Sequence, residues 1–307
     1  MASKGRTDLN SEKKQLRAMT ATIVCHALWG LSFMASRKAL SAAHMLLLLS
    51  HRFLISFVVM NLVMLLSRTK LELRGRKLWL PVLLGLCEPV IYFLGEQYGI
   101  LHSNTIFSGV MIAMIPIVST LAAAPVLREK PTVGQVLFSL LSVGGVIGIG
   151  LMSSGAGALE WGGAAALVIA VLSAAAYTLL SRGISETYSP FTRTYVMIAV
   201  GAVVFTVMAA VVCRGDMSAY LAPFGDVVYL MSVLFLALGC SVLCYFLSSY
   251  ALTNLPVARE SVFSNLTTVV SVFAGAVFLK EPFTWFGAVM IVLILAGIWG
   301  VQKTARK

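Results

Sequence analysis

The chain has 307 residues, of which 59% are hydrophobic and 11% are charged, and its mean hydropathy is +0.92. These values lie outside the range of ordinary soluble domains and predict a polytopic membrane protein embedded in a lipid bilayer. The formal net charge of +11 comes from basic tails and loops that flank apolar runs, so we expect no nucleic-acid partner.

The hydrophobic runs predict an all-α protein with ten transmembrane helices, since each crossing needs about 20 apolar residues. In chain order, the predicted helices cover residues 18–36, 45–66, 78–99, 104–127, 132–152, 161–182, 191–212, 227–252, 257–279 and 283–302. A basic tail at residues 1–17 precedes them and is predicted to be cytoplasmic.

An internal repeat divides these helices into two groups of five. Residues 96–132 align with residues 248–284 without a gap, at a constant offset of 152. The residues that are identical to their partners are Tyr98, Val110, Val118, Ser119, Ala122, Ala124, Leu127, Glu129 and Thr132. We therefore predict two five-helix repeats, at 18–152 and 161–302. Because five is odd, the second repeat enters the membrane inverted relative to the first.

The placement of Lys and Arg predicts the orientation. Most of them lie in the tail 1–17, in the loop 68–77 and beyond residue 302, which fall on one side of a ten-helix protein. The positive-inside rule therefore places both termini in the cytoplasm and predicts that the protein lies in the cell membrane, meaning the plasma or inner membrane.

Glu88 is the sharpest functional signal within a predicted helix. It lies roughly 15 Å into the third helix at about 1.5 Å per residue, which is near the middle of the bilayer, and Pro89 after it loosens the helix. Tyr92 continues this face at helical spacing, and Glu96 lies one step round from it. We expect Glu88 to bind a substrate amine or a coupling proton. The alternative is a structural ion pair of Glu88 or Glu96 with Arg52.

A second polar stripe follows the ninth helix, and its repeat partner lies in the fourth. The candidate binding residues on these two helices are Glu260, Ser264, Asn265, Asn104, Ser108 and Met111. Small polar residues also serve as contacts between membrane helices, and both uses stay open.

Aromatic residues complete the predicted pocket. Trp29 and Phe33 share one face of the first helix, while Tyr177 and Tyr245 lie within the sixth and eighth. Such rings bind aromatic, aliphatic or cationic ligands, although they also serve simple packing. We see no metal-ligand cluster, paired nucleophile or phosphate-binding glycine loop, so we expect neither a cofactor nor an enzyme.

The ordered motifs resemble the EamA-type transporters of the drug/metabolite transporter superfamily. The residues that carry the resemblance are Trp29-Gly30, His51-Arg52-Phe53, Pro116, the turns Glu129 to Thr132 and Glu281 to Thr284, and the later glycines Gly145 and Gly297. The second half departs from the pattern, with Ala174-Ala175, Met197 and Thr268 at the places of Trp29-Gly30, Arg52 and Pro116. The resemblance implies a basket of two inverted repeats around a central cavity, and export of small metabolites, often amino acids.

We therefore expect a secondary transporter that exports amino acids or related small molecules by alternating access. A transporter of quaternary amines or cationic drugs is the alternative within this class, and a non-transporting scaffold or a membrane enzyme is the alternative outside it. Proton coupling is a further expectation, while substrate identity, flux direction and oligomeric state stay open.

Overall fold

The computed structural model describes residues 2–72, 77–102, 111–112, 114–152, 161–278 and 285–304. Every regular element in these residues is helical. The α-helices, numbered in chain order, are α1 (Ala2–Leu40), α2 (Met45–Ser67), α3 (Trp79–Gly85), α4 (Tyr92–Leu101), α5 (Ile115–Leu127), α6 (Val133–Met152), α7 (Trp161–Gly183), α8 (Pro190–Val212), α9 (Met217–Leu221), α10 (Val227–Phe235), α11 (Cys244–Asn254), α12 (Val257–Ser261), α13 (Ser264–Phe278) and α14 (Trp285–Thr304). Wide π-helical turns join α3 to α4 at Leu86–Ile91 and α10 to α11 at Leu236–Leu243.

Seven helical stretches of the described residues are long and apolar enough to cross a membrane. They are Glu12–Leu40, Met45–Ser67, Trp79–Gly99, Trp161–Gly183, Pro190–Val212, Val227–Asn254 and Trp285–Thr304. Two shorter apolar helices cover Ile115–Leu127 and Val133–Gly148. Large apolar side chains cover the outside of the bundle, among them Leu66 and Trp161, which are 86% and 88% exposed. Such a surface suits lipid. The protein is a multi-pass membrane protein, as its composition predicted.

The predicted helix boundaries differ from the observed ones in three places. Helix α1 already begins at Ala2, so the basic tail is helical rather than separate. The ninth predicted helix is two helices, α12 and α13, which meet at Val262 and Phe263. The short helix α9 was not predicted, and the Asp216 carboxylate caps it by accepting the Ser218 N–H at 2.8 Å. The start of the fourth predicted helix lies outside the described residues.

The two π-helical turns occupy equivalent positions in the repeats. At the offset of 152, Glu88 in the first turn corresponds to Cys240 in the second. Glu88 has an extended backbone (φ −140°, ψ 121°) that interrupts the helix, where Pro89 removes an N–H donor. Wide turns free backbone carbonyl groups from the helical hydrogen-bond ladder and are frequent at functional sites. Both membrane crossings are therefore opened near the middle of the bundle.

Helices α6 and α14 pack against each other through glycine contacts that repeat under the offset of 152. The contacting pairs are Gly145 with Ile294, Gly297 with Ser142, Gly148 with Met290, and Gly300 with Phe138. At the offset of 152, Gly145 corresponds to Gly297 and Ser142 to Ile294, so the first two pairs are repeat equivalents of each other. The last two pairs are related in the same way. Residue numbers fall along α14 as they rise along α6, so the two helices are antiparallel.

The other helix contacts also occur in matched pairs. Helix α1 of the first repeat packs on α11 and α13 of the second, and α7 of the second packs on α4 and α5 of the first. Helices α2 and α8 pack on each other. Their shared core contains Phe53, Met197 and Phe205 together with Tyr177 and Tyr245. The first helix of each repeat therefore lies against the other repeat, which places α1, α4, α7 and α11 around a common centre.

Candidate functional site

Three of the predicted aromatic residues meet beside Glu88. The Trp29 and Tyr245 rings are 5.7 Å apart between centroids, and the Tyr177 and Tyr245 rings are 6.4 Å apart, both edge to face. The Tyr245 hydroxyl lies near the Glu88 carboxylate. Tyr177 and Tyr245 are buried, whereas Glu88 and Trp29 are half-buried. The arrangement offers a carboxylate at the edge of an aromatic wall, which suits a ligand with a cationic group.

Side chains from the opposite repeat hold both π-helical turns open. The Trp29 indole N–H donates to the Cys240 carbonyl oxygen at 2.9 Å, and the Ser173 hydroxyl donates to the Cys87 carbonyl oxygen at 2.7 Å. Ser173 directly precedes Ala174, which the motif comparison places at the position of Trp29, at an offset of 145 that also relates Arg52 to Met197. These bonds add donors from the other repeat to carbonyl oxygens of the wide turns, where the Cys87 oxygen also accepts the Tyr92 N–H. Trp29 is thus both a wall of the site and a support for its backbone.

Arg52 is buried close to Glu88 and Glu96. Its Nε donates to the Ser241 hydroxyl at 2.7 Å, and its guanidinium carbon lies 5.2 Å from the centre of the Phe93 ring. Among the described residues, no N–O distance of 4.0 Å or less joins Arg52 to Glu88 or Glu96. Arg52 is nevertheless near enough to both carboxylates to interact with them electrostatically. The predicted ion pair is therefore a longer-range interaction and is not a direct contact.

A narrow cleft reaches Arg52 from between α1, α2 and α4. It holds about 30 Å³ and is lined by polar Ser36 and Gln97 as well as by Arg52 and Phe93. Glu96 lies deeper on α4, where its carboxylate accepts the Tyr92 hydroxyl at 2.8 Å. A space of this size has room for about two or three waters, so this cleft is too small for an amino acid in the present conformation.

A second polar cluster lies between α1, α11 and the α12–α13 break. The Glu260 carboxylate is 3.8 Å from the His26 imidazole Nε2, and both side chains are 6% exposed. The Ser248 hydroxyl donates to Glu260 at 3.5 Å, and the Tyr177 hydroxyl donates to Ser248 at 3.4 Å. Glu260 was a predicted site residue, but His26 was missed. Its signal was its position three residues before Trp29 on the same face of α1.

The remaining predicted site residues lie elsewhere or outside the described part of the chain. The Asn265 amide donates to the Ser142 hydroxyl at 3.0 Å and is buried in the contact between α13 and α6. Ser264 and Met111 are half-buried. Asn104, Ser108 and the side chain of Phe33 lie outside the described residues. Asn265 is thus held in a helix contact away from the Glu88 cluster.

Arg182 and Glu129 connect four helices at one end of the bundle. Arg182 pairs with Glu129 at 2.7 Å and also donates to the Leu252 and Thr253 carbonyl oxygens. The other Glu129 oxygen accepts the Val257 N–H at 2.8 Å. These contacts connect the ends of α5, α7, α11 and α12. They form a closed clamp, which we name the Arg182 clamp.

Arg193 lies inside the protein, although the positive-inside rule counts it among the cytoplasmic cations near helix ends. It is 0% exposed. Its guanidinium donates to the Ser181 hydroxyl at 2.8 Å, to the Thr253 hydroxyl, and to the Ser181 and Ser249 carbonyl oxygens. Hydrogen bonds to neutral oxygens thus stabilise a buried cation that ties α8 to α7 and α11.

Known proteins resemble this chain over nearly its whole length. An uncharacterized transporter of Bacillus subtilis (strain 168), YcxC, is 31% identical over 297 residues, covering 96% of this chain and 95% of that protein. An uncharacterized transporter of Archaeoglobus fulgidus is 24% identical over 275 residues, covering 90% and 95%. A solved crystal structure matches with a TM-score of 0.80 and 16% identity, covering 94% of this chain and 97% of that chain. This last likeness concerns the fold alone.

The EamA-like transporter family matches residues 16–151 and 161–302, which include both groups of helices described above. The family and the relatives indicate a transporter rather than an enzyme. The resemblance inferred from the sequence motifs is confirmed, and the chain belongs to the EamA-like transporter family.

Proposed function

We propose that this protein is a secondary transporter that exports amino acids or related small metabolites across the cell membrane. The observation that carries the proposal is the position of Glu88 at an open helical turn, facing Tyr245 and close to Trp29. A carboxylate next to aromatic rings binds an ammonium group by charge and by cation–π attraction. Intramembrane carboxylates are costly to maintain, which favours a functional role for Glu88.

Arg52 supplies the second half of amino-acid recognition. Its Nε is engaged by Ser241, and the remaining guanidinium nitrogens are suited to a substrate carboxylate. A zwitterion placed between Glu88 and Arg52 satisfies both buried charges, whereas a ligand with one charge satisfies one of them. This complementarity favours amino acids over simple amines.

We further propose that alternating access uses an inverted repeat with both termini in the cytoplasm. Reciprocal contacts between antiparallel α6 and α14 support a pseudo-two-fold axis perpendicular to these helices. For helices that cross a bilayer, such an axis lies in the membrane plane. In this proposal the repeats rock around the Glu88 site. The Arg182 clamp closes one end of the bundle in the present conformation, and its release opens that end.

The test is transport by purified protein in liposomes, with a ¹⁴C-labelled mixture of amino acids as the probe. We expect Glu88→Gln to reduce apparent affinity or flux by roughly 10-fold to 100-fold, because a hydrogen bond to a charged group contributes about 1.5–3 kcal/mol. The matched control is Glu186→Gln, which makes the same change at an exposed carboxylate and should transport like the wild type. Equal transport by Glu88→Gln and wild-type protein would remove Glu88 from the mechanism.

The second candidate is transport of quaternary amines or cationic drugs, which the carboxylate and the aromatic wall also favour. Arg52→Gln separates the two candidates. Loss of amino-acid flux in this variant supports the zwitterion site, since the substrate carboxylate loses its partner. Unchanged or increased flux of choline, with no amino-acid flux in the wild type, supports the cation transporter instead.

A further inference from the structure

We propose that His26 and Glu260 together form the binding site for a coupling proton. This inference rests on the proposed transport function and assigns its energy source to a second buried pair, separate from Glu88. The pair joins α1 of the first repeat to α12 of the second, with 3.8 Å between Nε2 and the Glu260 carboxylate oxygen. It therefore lies at a contact between the two moving halves.

Thr267 favours one tautomer of His26. The Thr267 hydroxyl donates to the His26 backbone carbonyl oxygen at 3.3 Å, and in this orientation its oxygen is an acceptor. The His26 Nδ1 lies 3.3 Å from the same oxygen and donates its hydrogen there when the hydroxyl takes this orientation. In the neutral imidazole, Nε2 then carries a lone pair and no hydrogen. His26 Nε2 is buried and has no hydrogen-bond partner among the described residues.

The His26–Glu260 pair lacks one hydrogen between its facing atoms until it binds a proton. Without this proton, the Nε2 lone pair faces the ionised Glu260 carboxylate, and two acceptors oppose each other in a buried site. One added proton converts neutral His26 and ionised Glu260 into an imidazolium–carboxylate pair whose net charge is zero. The proton bonds to Nε2, and no other bond changes. A buried charge is stabilised when it gains such a partner, so protonation draws α1 towards α12, and proton release loosens this contact.

The ionisable groups around the pair make it responsive to the substrate site. Those near Glu260 are the Cys25 thiol of α1, the Tyr177 hydroxyl of α7 and the Glu88 carboxylate, and Cys244 of α11 contacts Cys25. None of these four groups is a fixed cation. Arg259, adjacent to Glu260 in the chain, donates instead to Gln302 and Gln15.

Hydrogen bonds connect the proton site with the aromatic wall. Tyr177 donates to Ser248, and Ser248 donates to Glu260, while the Tyr177 ring contacts Tyr245 beside Glu88. A cationic group bound at Glu88 therefore changes the field at Glu260 through a short, buried path of low dielectric. Substrate ammonium at Glu88 and a proton at His26 add positive charge to the same pocket, so each weakens binding of the other. Such competition between substrate and proton is the requirement for exchange of one against the other.

The experiment compares two transport modes of each variant in liposomes, again with the ¹⁴C-labelled amino-acid mixture. One mode is counterflow without a pH gradient, and the other is flux driven by an imposed gradient of two pH units. For the wild type we expect at least a fivefold ratio of driven flux to counterflow. For His26→Gln and Glu260→Gln the ratio should fall to about one, whatever the remaining counterflow rate. His44→Gln, an exposed histidine, is the control and should keep the wild-type ratio.

Thr267→Val guards against variants that do not fold, because it preserves the shape of the side chain and removes only the hydroxyl, which accepts Nδ1–H and donates to the His26 carbonyl oxygen. We expect it to lower the ratio without abolishing it, since this tautomer is no longer favoured. Wild-type ratios in His26→Gln and Glu260→Gln, or a ratio of one in the wild type itself, would overturn the proton site. Absence of wild-type counterflow would overturn the transport proposal instead, and the coupling role would fall with it.

Discussion

Replacement of Gly297 by alanine tests the backbone-to-backbone packing of α6 and α14. A Cβ atom at this position would lie 2.6 Å from the Phe138 carbonyl oxygen and 2.7 Å from the Ser142 backbone nitrogen. These are atoms of α6 that cannot rotate away, so the two helices must separate. Overpacking of this kind costs about 1–3 kcal/mol, against a gain of about 1 kcal/mol from the better helix propensity of alanine. We expect Gly297→Ala to destabilise the protein by up to about 2 kcal/mol, which is the difference between these two effects.

The glycines of α6 supply graded controls for this substitution. Gly144 has open space where its Cβ would lie, and the nearest atom to a Cβ at Gly148 is the sulfur of the flexible Met290 side chain. A Cβ at Gly145 would lie 2.8 Å from the Met290 carbonyl oxygen, as expected for the repeat equivalent of Gly297. Gly145→Ala should therefore match Gly297→Ala, whereas Gly144→Ala should be at least as stable as the wild type.

The assay is thermal unfolding in detergent, followed by a dye that fluoresces on reaction with thiols. Four cysteines are buried in the folded protein and become reactive on unfolding. A loss of up to about 2 kcal/mol corresponds to a fall of up to a few degrees in Tm. If Gly297→Ala melts at or above the temperature of Gly144→Ala, then α6 and α14 are not in backbone contact. The pseudo-two-fold relation drawn from their glycine pairs would then lose its support.

Three further substitutions make predictions for the same melting assay. Arg193→Gln leaves several buried oxygen acceptors without a donor, and we expect a loss of at least about 3 kcal/mol; a Tm like that of the wild type would show that the guanidinium does not bridge α7, α8 and α11. Glu129→Gln breaks the ion pair with Arg182 but can still accept the Val257 N–H, and because both side chains are about one-quarter exposed, the expected loss is only about 0.5–1 kcal/mol. Trp29→Phe removes the donor to the Cys240 carbonyl oxygen and should cost about 1–2 kcal/mol, unless water replaces it, in which case Tm stays unchanged.

The sequence predicted helices well wherever an apolar run alone determines them. It also predicted the break at Glu88, because Pro89 removes a backbone donor there. The equivalent break at Leu236–Leu243 contains no proline and gave no local signal. It depends on tertiary contacts, since Trp29 from α1 donates to the Cys240 carbonyl oxygen. The division between α12 and α13 at Val262 also gave no local signal, because the apolar run continues through it.

Site residues were predictable in proportion to how unusual their type is within a membrane helix. Glu88 was evident because a carboxylate in an apolar run is rare, whereas His26 was overlooked because its partners Glu260 and Thr267 are more than 230 residues away in the chain. Arg193 shows the opposite error. The positive-inside rule counts cations near helix ends without regard to their direction, and the Arg193 side chain points inward.

The two repeats agree where the scaffold needs two equivalent halves and differ where a substrate needs one site. The glycines of α6 and α14 match pair by pair because each helix must approach the other closely. In the centre, Cys240 corresponds to Glu88, Ala174 to Trp29 and Met197 to Arg52. A second glutamate at residue 240 would place another carboxylate near Arg52, Glu88 and Glu96, where like charges repel strongly because little water screens them. A single zwitterion can neutralise one carboxylate and one guanidinium, so a duplicated bundle that binds one such ligand must lose the charges of one copy. The asymmetry of the centre thus suits the proposed zwitterionic substrate, and the symmetry of α6 and α14 suits the proposed rocking of two inverted halves.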